Sequence, residues 1–245
     1  MAAISMDGNA LRDETVAGLA IRIADLGSPE ICLATVLVGD DGPSRRYVNS
    51  KHKKAAEAGM VSRHRELPAT ATQQEVEAIV RELAADPTVH GILVQLPLPS
   101  GLDPEPVLDL VPAEKDVDGL TERSMGRLVR GRPGLVSCTP LGVMRLLEKY
   151  EIPTSGQRAV VIGRSTLVGL PLSLLLNRKG VDATVTMAHS RTGDMAAVVR
   201  EADIVVGAAG QARMITADMI KPGAAVIDVG VSRTEAGIVG DVDFA

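Results

Sequence analysis

The run from Ala159 to Leu176, AVVIGRSTLVGLPLSLLL, limits what this chain can fold into more than any other segment. An apolar stretch leads into Gly163, and Gly169 opens a second one long enough for a helix. A strand that turns through glycine into a helix is the entry to a doubly wound parallel sheet, and it is the setting of a dinucleotide fingerprint. Amides at such a helix start hold a pyrophosphate, because first-turn N–H groups lack an intrahelical partner and the helix dipole favours an anion. Counted as G-x-G-x-x-G from Gly163, the pattern departs twice: Ser165 stands at the second glycine, and the third is displaced to Gly169. Taken alone, the run reads equally well as an ordinary glycine-bearing strand–helix turn.

The same alternation runs along the chain. Leu11, Thr15, Leu19, Ile23 and Leu26 recur at helical spacing, which predicts a helix over Gly8–Leu26. A strand follows over Ile31–Val38, then a polar helix over Ser44–Ala58 stopped by Gly59, and a strand over Val61–Leu67. A helix over Thr72–Ala85 carries a capping box in Thr72 and Glu75, and Gly91–Leu96 is an apolar strand. Pro, Gly and charge dominate Pro97–Pro140, with helical pattern only in pieces such as Glu105–Leu110. After a helix over Leu141–Tyr150 the rhythm restarts, with strands over Arg158–Ile162, Ala183–Met187, Ile204–Val206 and Ala224–Val229 and helices over Val168–Arg178 and Met195–Glu201. The predicted fold class is α/β, two units in series, the second a Rossmann-type doubly wound domain.

Composition narrows the partners. With 26 basic against 31 acidic residues, and Tyr47, Tyr150 and Phe244 as its aromatics, the chain has neither the cationic footprint nor the stacking platform of a nucleic-acid binder. Cys32 and Cys138 form no CxxC, and His52, His64, His90 and His189 have no ligand spacing, so no metal is expected. The first residues carry acids rather than a basic head and apolar core, and no apolar run approaches the ~20 residues that span a bilayer. A cytoplasmic protein with no membrane partner is expected.

Several polar groups sit where a strand end or helix face would present them. Tyr47 and Lys51 share a helix face at a spacing of four, although such a pair is also ordinary on a basic helix. Gln95 ends an apolar strand, at the carboxyl edge where α/β sheets bind ligands, and an amide there needs a partner. Asp116 and Asp118 lie in one loop, as carboxylates or as a plain acidic turn. After Met187 no acid stands where NAD-binding folds hold the ribose diol. Arg164, Ser190 and Arg191 there suit the 2′-phosphate of NADP, though Arg191 also reads as a solvated loop charge.

Six ordered blocks resemble the bifunctional 5,10-methylenetetrahydrofolate dehydrogenase/cyclohydrolase family. They are Tyr47-Val48-x-x-Lys51, Val94-Gln95-Leu96-Pro97-Leu98-Pro99, Lys115-Asp116-Val117-Asp118-Gly119, Cys138-Thr139-Pro140-x-Gly142, Gly163-Arg164-Ser165-x-x-Val168-Gly169-x-Pro171 and Val226-Ile227-Asp228-Val229-Gly230. The start, Met6-Asp7-Gly8, is similar too, so the resemblance covers essentially the whole chain. It implies a folate-binding catalytic domain over residues 1–138 and an NADP-binding Rossmann domain over 139–245, in a homodimer joined through the cofactor domain.

The resemblance also assigns roles. Lys51 is implied as the central catalytic group, with Tyr47, Gln95 and Asp118 beside it and Val94 and Leu96 completing the tetrahydrofolate site. Gln95 would position an amine without adding charge, Tyr47 would offer its ring to the pterin, and Asp118 would bind the amino-pyrimidine edge. Asp116 would shape the loop. Gly163, Arg164, Ser165, Gly169, Ser190, Arg191 and Val231 are implied for NADP. The family's Pro-Gly-Gly-Val-Gly-Pro-type loop and final helix are expected beyond Ala245, and their absence here leaves a non-catalytic folate- or nucleotide-binding relative as one alternative. A two-domain amino-acid or shikimate-type dehydrogenase shares the architecture but leaves Asp118 and the Val94–Pro99 block without a task. A short-chain dehydrogenase also uses Tyr-x-x-x-Lys, but its glycine turn comes before that pair.

Overall fold

The computed structural model describes residues 3–235 and 237–244. They form two compact units that divide between Gly126 and Arg127. In the first unit, α1 (Gly8–Asp25) starts at Asp7, whose carboxylate accepts the N–H groups of Asn9 and Ala10. Ile23 is buried, but Leu26, expected to complete the apolar stripe, is 72% exposed. It lies at the C-cap, where the chain has left the helix and helical spacing no longer sets its direction.

β1 (Cys32–Val38) leads to α2 (Gly42–Glu57), which is capped by Asp41 accepting the Ser44 N–H at 2.9 Å. The helix stops at Gly59, where φ is +84°, a conformation other residues rarely adopt. β2 (Val61–Leu67), α3 (Gln73–Ala85) and β3 (Gly91–Val94) complete the sheet, and Thr72 and Glu75 close the expected capping box. All pairings are parallel, in the order β2-β1-β3. Val76, Val80 and Leu83 of α3 pack with Val36, Ile92 and Val94 in one core. Each such side chain contributes about 1.5–3 kcal/mol through burial.

β3 ends at Val94 rather than at Leu96, although the Gln95 N–H still reaches the Val36 carbonyl at 2.9 Å. The Leu96–Pro97 peptide bond is cis. Two short helices follow, α4 (Pro104–Leu108) and α5 (Glu122–Val129). The second carries no sequence signal because the residue it buries is Ser124 rather than an apolar one.

The second unit takes in the end of α5 and continues through α6 (Cys138–Lys149), β4 (Arg158–Ile162), α7 (Gly169–Asn177), β5 (Thr184–Ala188), α8 (Met195–Arg200), β6 (Ile204–Gly207) and β7 (Ala225–Asp228). Its sheet is parallel in the order β5-β4-β6-β7. The chain leaves β4 for β5 on one side and returns to β6 on the other, so the carboxyl ends of β4 and β6 flank the topological switch point where such sheets bind ligands. An antiparallel hairpin, β8 (Ser232–Thr234) with β9 (Gly237–Val239), was not expected, because strands this short and polar show no alternation. No described helix is long and apolar enough to cross a membrane.

Candidate active site

α2 carries Tyr47 and Lys51 one turn apart on the same face, Tyr47 exposed and Lys51 partly buried. The Lys51 Nζ donates to Gln95 Oε1 at 3.3 Å. The amide of Gln95 is held in this sense because its Nε2 donates to the Leu96 carbonyl at 2.7 Å, leaving the oxygen to face the amine. Strand end and helix face therefore meet at a lysine and a neutral acceptor. Val94 is buried in the core.

The loop that carries Asp118 is anchored at three points. Lys115 Nζ donates to the carbonyls of Ala84 at 2.9 Å and Asp86 at 2.7 Å, satisfying acceptors that the end of α3 leaves over. Ile92 N–H donates to the Lys115 carbonyl at 2.7 Å, which adds the loop to the edge of β3. The buried Asp116 carboxylate accepts the N–H groups of Leu120 at 3.2 Å and Thr121 at 2.9 Å. Asp116 thus holds the loop, and Asp118 remains partly buried beside it. Burial pushes the Asp118 carboxyl above the ordinary carboxylate range; the Lys51 charge pulls it back and Asp116 pushes it further up. A carboxylate under those influences gains from a hydrogen-bonding, cationic ligand edge.

His52, next along α2, belongs to a different set. Its Nε2 lies 2.8 Å from Thr35 Oγ1, and His64 Nδ1 lies 2.9 Å from the same oxygen. The two rings stand edge to face with centroids 5.1 Å apart. Burial, with a smaller push from His64, holds the His52 imidazole below its ordinary pKa. Sequence reading missed this cluster, since three polar residues on a helix and two strands become neighbours only through the register that pairs Thr35 with His64.

In the second unit the site is made of main chain. Gly163 has φ +130°, and a Cβ on it would lie 2.2 Å from the Ala208 carbonyl oxygen. A Cβ on Gly169 would lie 2.1 Å from the Gly163 carbonyl oxygen. Ser165 Oγ accepts the Val168 N–H at 3.1 Å, and the Ser165 carbonyl accepts the Leu170 N–H at 3.0 Å, so the turn into α7 is closed by its own residues. α7 has no side-chain cap at Val168. The glycines fit a dinucleotide: they form a cradle that any side chain would fill.

Arg164 follows β4, and Ser190 and Arg191 follow the neighbouring β5, all three exposed at the same end of adjacent strands. Val231, 56% exposed, follows β7. Among the described residues no group of three or more His, Cys, Asp or Glu could hold a metal ion.

Known proteins share this arrangement. Residues 6–118 match the family model described as tetrahydrofolate dehydrogenase/cyclohydrolase, catalytic domain, and residues 137–245 match the corresponding NAD(P)-binding domain. Bifunctional protein FolD 2 of Frankia alni is 51% identical over 247 residues, a match covering 100% of this chain and 85% of the relative. The crystal structure of the bifunctional FolD methylenetetrahydrofolate dehydrogenase/cyclohydrolase from Campylobacter jejuni superposes with a TM-score of 0.94 at 43% identity, covering 98% of this chain and 86% of that one. The Trypanosoma brucei N5,N10-methylenetetrahydrofolate dehydrogenase-cyclohydrolase, complexed with NADP cofactor and inhibitor, superposes with a TM-score of 0.92 at 39% identity, covering 99% and 86%.

Proposed function

This chain belongs to the tetrahydrofolate dehydrogenase/cyclohydrolase family, and from that premise we propose how its residues divide the work. It is an enzyme with two activities: NADP-dependent oxidation of 5,10-methylenetetrahydrofolate to the 5,10-methenyl cation, and hydrolysis of that cation to 10-formyltetrahydrofolate. Folate chemistry falls to residues 1–138 and cofactor binding to 139–245. NADP, when bound, accepts the hydride that leaves the one-carbon bridge.

Lys51 is the proton-transfer group. In hydrolysis a water oxygen adds to the methenyl carbon and the bond from that carbon to N5 breaks. One water proton ends on N5 and the other is released, and the Lys51 amine carries protons between these atoms. Gln95 holds that amine by a neutral bond and so orients it without fixing its charge. Asp118 receives the amino-pyrimidine edge of the pterin, Tyr47 lays its ring along it, and Val94 and Leu96 supply main chain at the strand end. Gly163, Ser165, Gly169 and Val231 hold the dinucleotide, while Arg164, Ser190 and Arg191 take its 2′-phosphate.

The observation that carries the reading is the Lys51–Gln95 hydrogen bond at 3.3 Å with Asp118 in the electrostatic field of the same lysine. β7, at the open edge of its sheet, suits pairing of two chains, and we assign a homodimer in the cytoplasm with no membrane or nucleic-acid partner. Absorbance assays test the activities: the chain should reduce NADP with methylenetetrahydrofolate and speed the decay of the methenyl chromophore. A chain that does neither contradicts the reading. Sedimentation tests the dimer, which a monomer at micromolar concentration contradicts.

A further inference from the structure

The carboxyl ends of β6 and β7 are tied together by two aspartates, Asp228 and Asp241. Asp241 has 0% of its surface exposed. Its Oδ2 accepts the N–H groups of Ala209 at 2.6 Å and Gly210 at 3.2 Å, and its Oδ1 accepts that of Gln211 at 2.7 Å. Asp228, at the end of β7, accepts the N–H groups of Gly230 at 2.9 Å, Asp241 at 3.0 Å and Val242 at 2.9 Å. Two glycines make room for these carboxylates: a Cβ on Gly230 would lie 2.2 Å from Asp241, and one on Gly240 would lie 1.9 Å from Asp228.

We propose that Asp241, held in turn by Asp228, is a positioning residue for the dehydrogenase half of the reaction, fixing the Ala208–Gln211 turn as the β6 wall of the NADP crevice. This rests on the NADP reading above. The turn begins at Ala208, whose carbonyl oxygen occupies the space that a Gly163 side chain would need. The same residue's N–H donates to the Ile162 carbonyl at 2.8 Å, so the turn is seated directly on the end of β4. Three successive amides gathered by one buried carboxylate leave that main chain little freedom to follow or evade a ligand.

Both Asp241 oxygens are occupied by N–H donors, so an asparagine would place its NH2 against an N–H in either flip. Asp241→Asn therefore breaks the turn without changing volume. It also removes a negative charge from a domain that binds an anion, which by electrostatics alone would tighten NADP. The proposal expects the opposite sign.

The test uses the whole chain. NADP affinity by calorimetry, methenyl hydrolysis rate and melting temperature are measured on wild type, Asp241→Asn and Asp228→Asn. The expected result is a dissociation constant for NADP raised about tenfold or more in Asp241→Asn, and raised less in Asp228→Asn, with hydrolysis unchanged. Unchanged or tighter NADP binding in a folded variant overturns the proposal, as does a loss of hydrolysis in parallel with NADP binding. Should Asp241→Asn not fold, Asp228→Asn alone decides by the same two readings. Wild type that binds no NADP would contradict the underlying reading instead.

Discussion

In the first unit the proposed reacting surface is built from side chains: the Lys51 amine, the Gln95 amide and the Asp118 carboxylate, set in place by a hydrogen bond and an anchored loop. In the second it is built from main chain, with Gly163 and Gly169 standing where any Cβ would come within 2.2 Å of a carbonyl oxygen. The first kind of site loses chemistry when a functional group is removed. The second, on the proposed reading, loses it when an atom is added, because the backbone turn has no room for a Cβ. One chain therefore offers two independent failure modes.

Gly169→Ala should have the largest effect. Its methyl would require the Gly163–Arg164 main chain to shift, a cost of about 1–3 kcal/mol or more, and NADP affinity should fall by up to about a hundredfold. Methenyl hydrolysis should stay near wild type. Titration with NADP checks this, and an unchanged affinity would break the comparison.

The Arg164→Ala/Arg191→Ala double variant comes next, since it touches side chains of the backbone-built site. The two arginines are proposed to share one phosphate, and losing one hydrogen bond's worth, about 1.5–3 kcal/mol, should weaken NADP about ten- to a hundredfold. NAD, which lacks the 2′-phosphate, should be affected little. Michaelis constants for both cofactors decide it, and an equal loss would assign the arginines to the pyrophosphate or the fold.

Asp118→Asn sharpens the contrast in the first unit. Because burial raises the folded carboxyl above its unfolded value, the ionised form costs stability as pH rises through the folded pKa. The variant should melt higher than wild type at pH 7 while its Michaelis constant for folate rises about tenfold, as one charge-assisted bond is lost. Lower melting would show that the carboxylate has a structural partner.

The smallest effect expected is on pH dependence. His52 is held below its unfolded value near 6.5, so the unfolded chain takes up a proton first. Its contribution is complete above that value and is lost as pH falls toward the lower folded one. Asp86 behaves differently: bonds from Thr88 and then Arg63 hold its carboxyl at about 2, so its contribution persists until pH falls below 3.8 toward that value. Thermal scans from pH 7 to 5 should show His52→Gln flatter than wild type, and identical slopes would contradict the assignment.

What could be read in the sequence follows the same division. Alternating apolar runs with caps at Thr72 and Gly59 gave element positions within a few residues, because each is fixed locally. Gly163 and Gly169 were legible because a side chain at either would collide with main chain. Gln95 and Lys51 were recognisable as residue types, but their mutual bond depends on how α2 lies on the sheet. The Thr35 cluster and the Asp241 network were not legible because each is held by hydrogen bonds between separate segments, which leave no periodicity, whereas α5 buries a serine and the β8–β9 strands are too short and polar to alternate. An aspartate directly after Gly240 and another two residues before Gly230 were the faint signal available.

Lys51→Met tests the central claim most directly, because it removes the amine and keeps an apolar stem of similar reach. Methenyl hydrolysis and NADP affinity are measured on the same folded sample. The account expects hydrolysis to disappear while NADP binds as it does to wild type. Near-normal hydrolysis, or loss of cofactor binding together with hydrolysis, would contradict it.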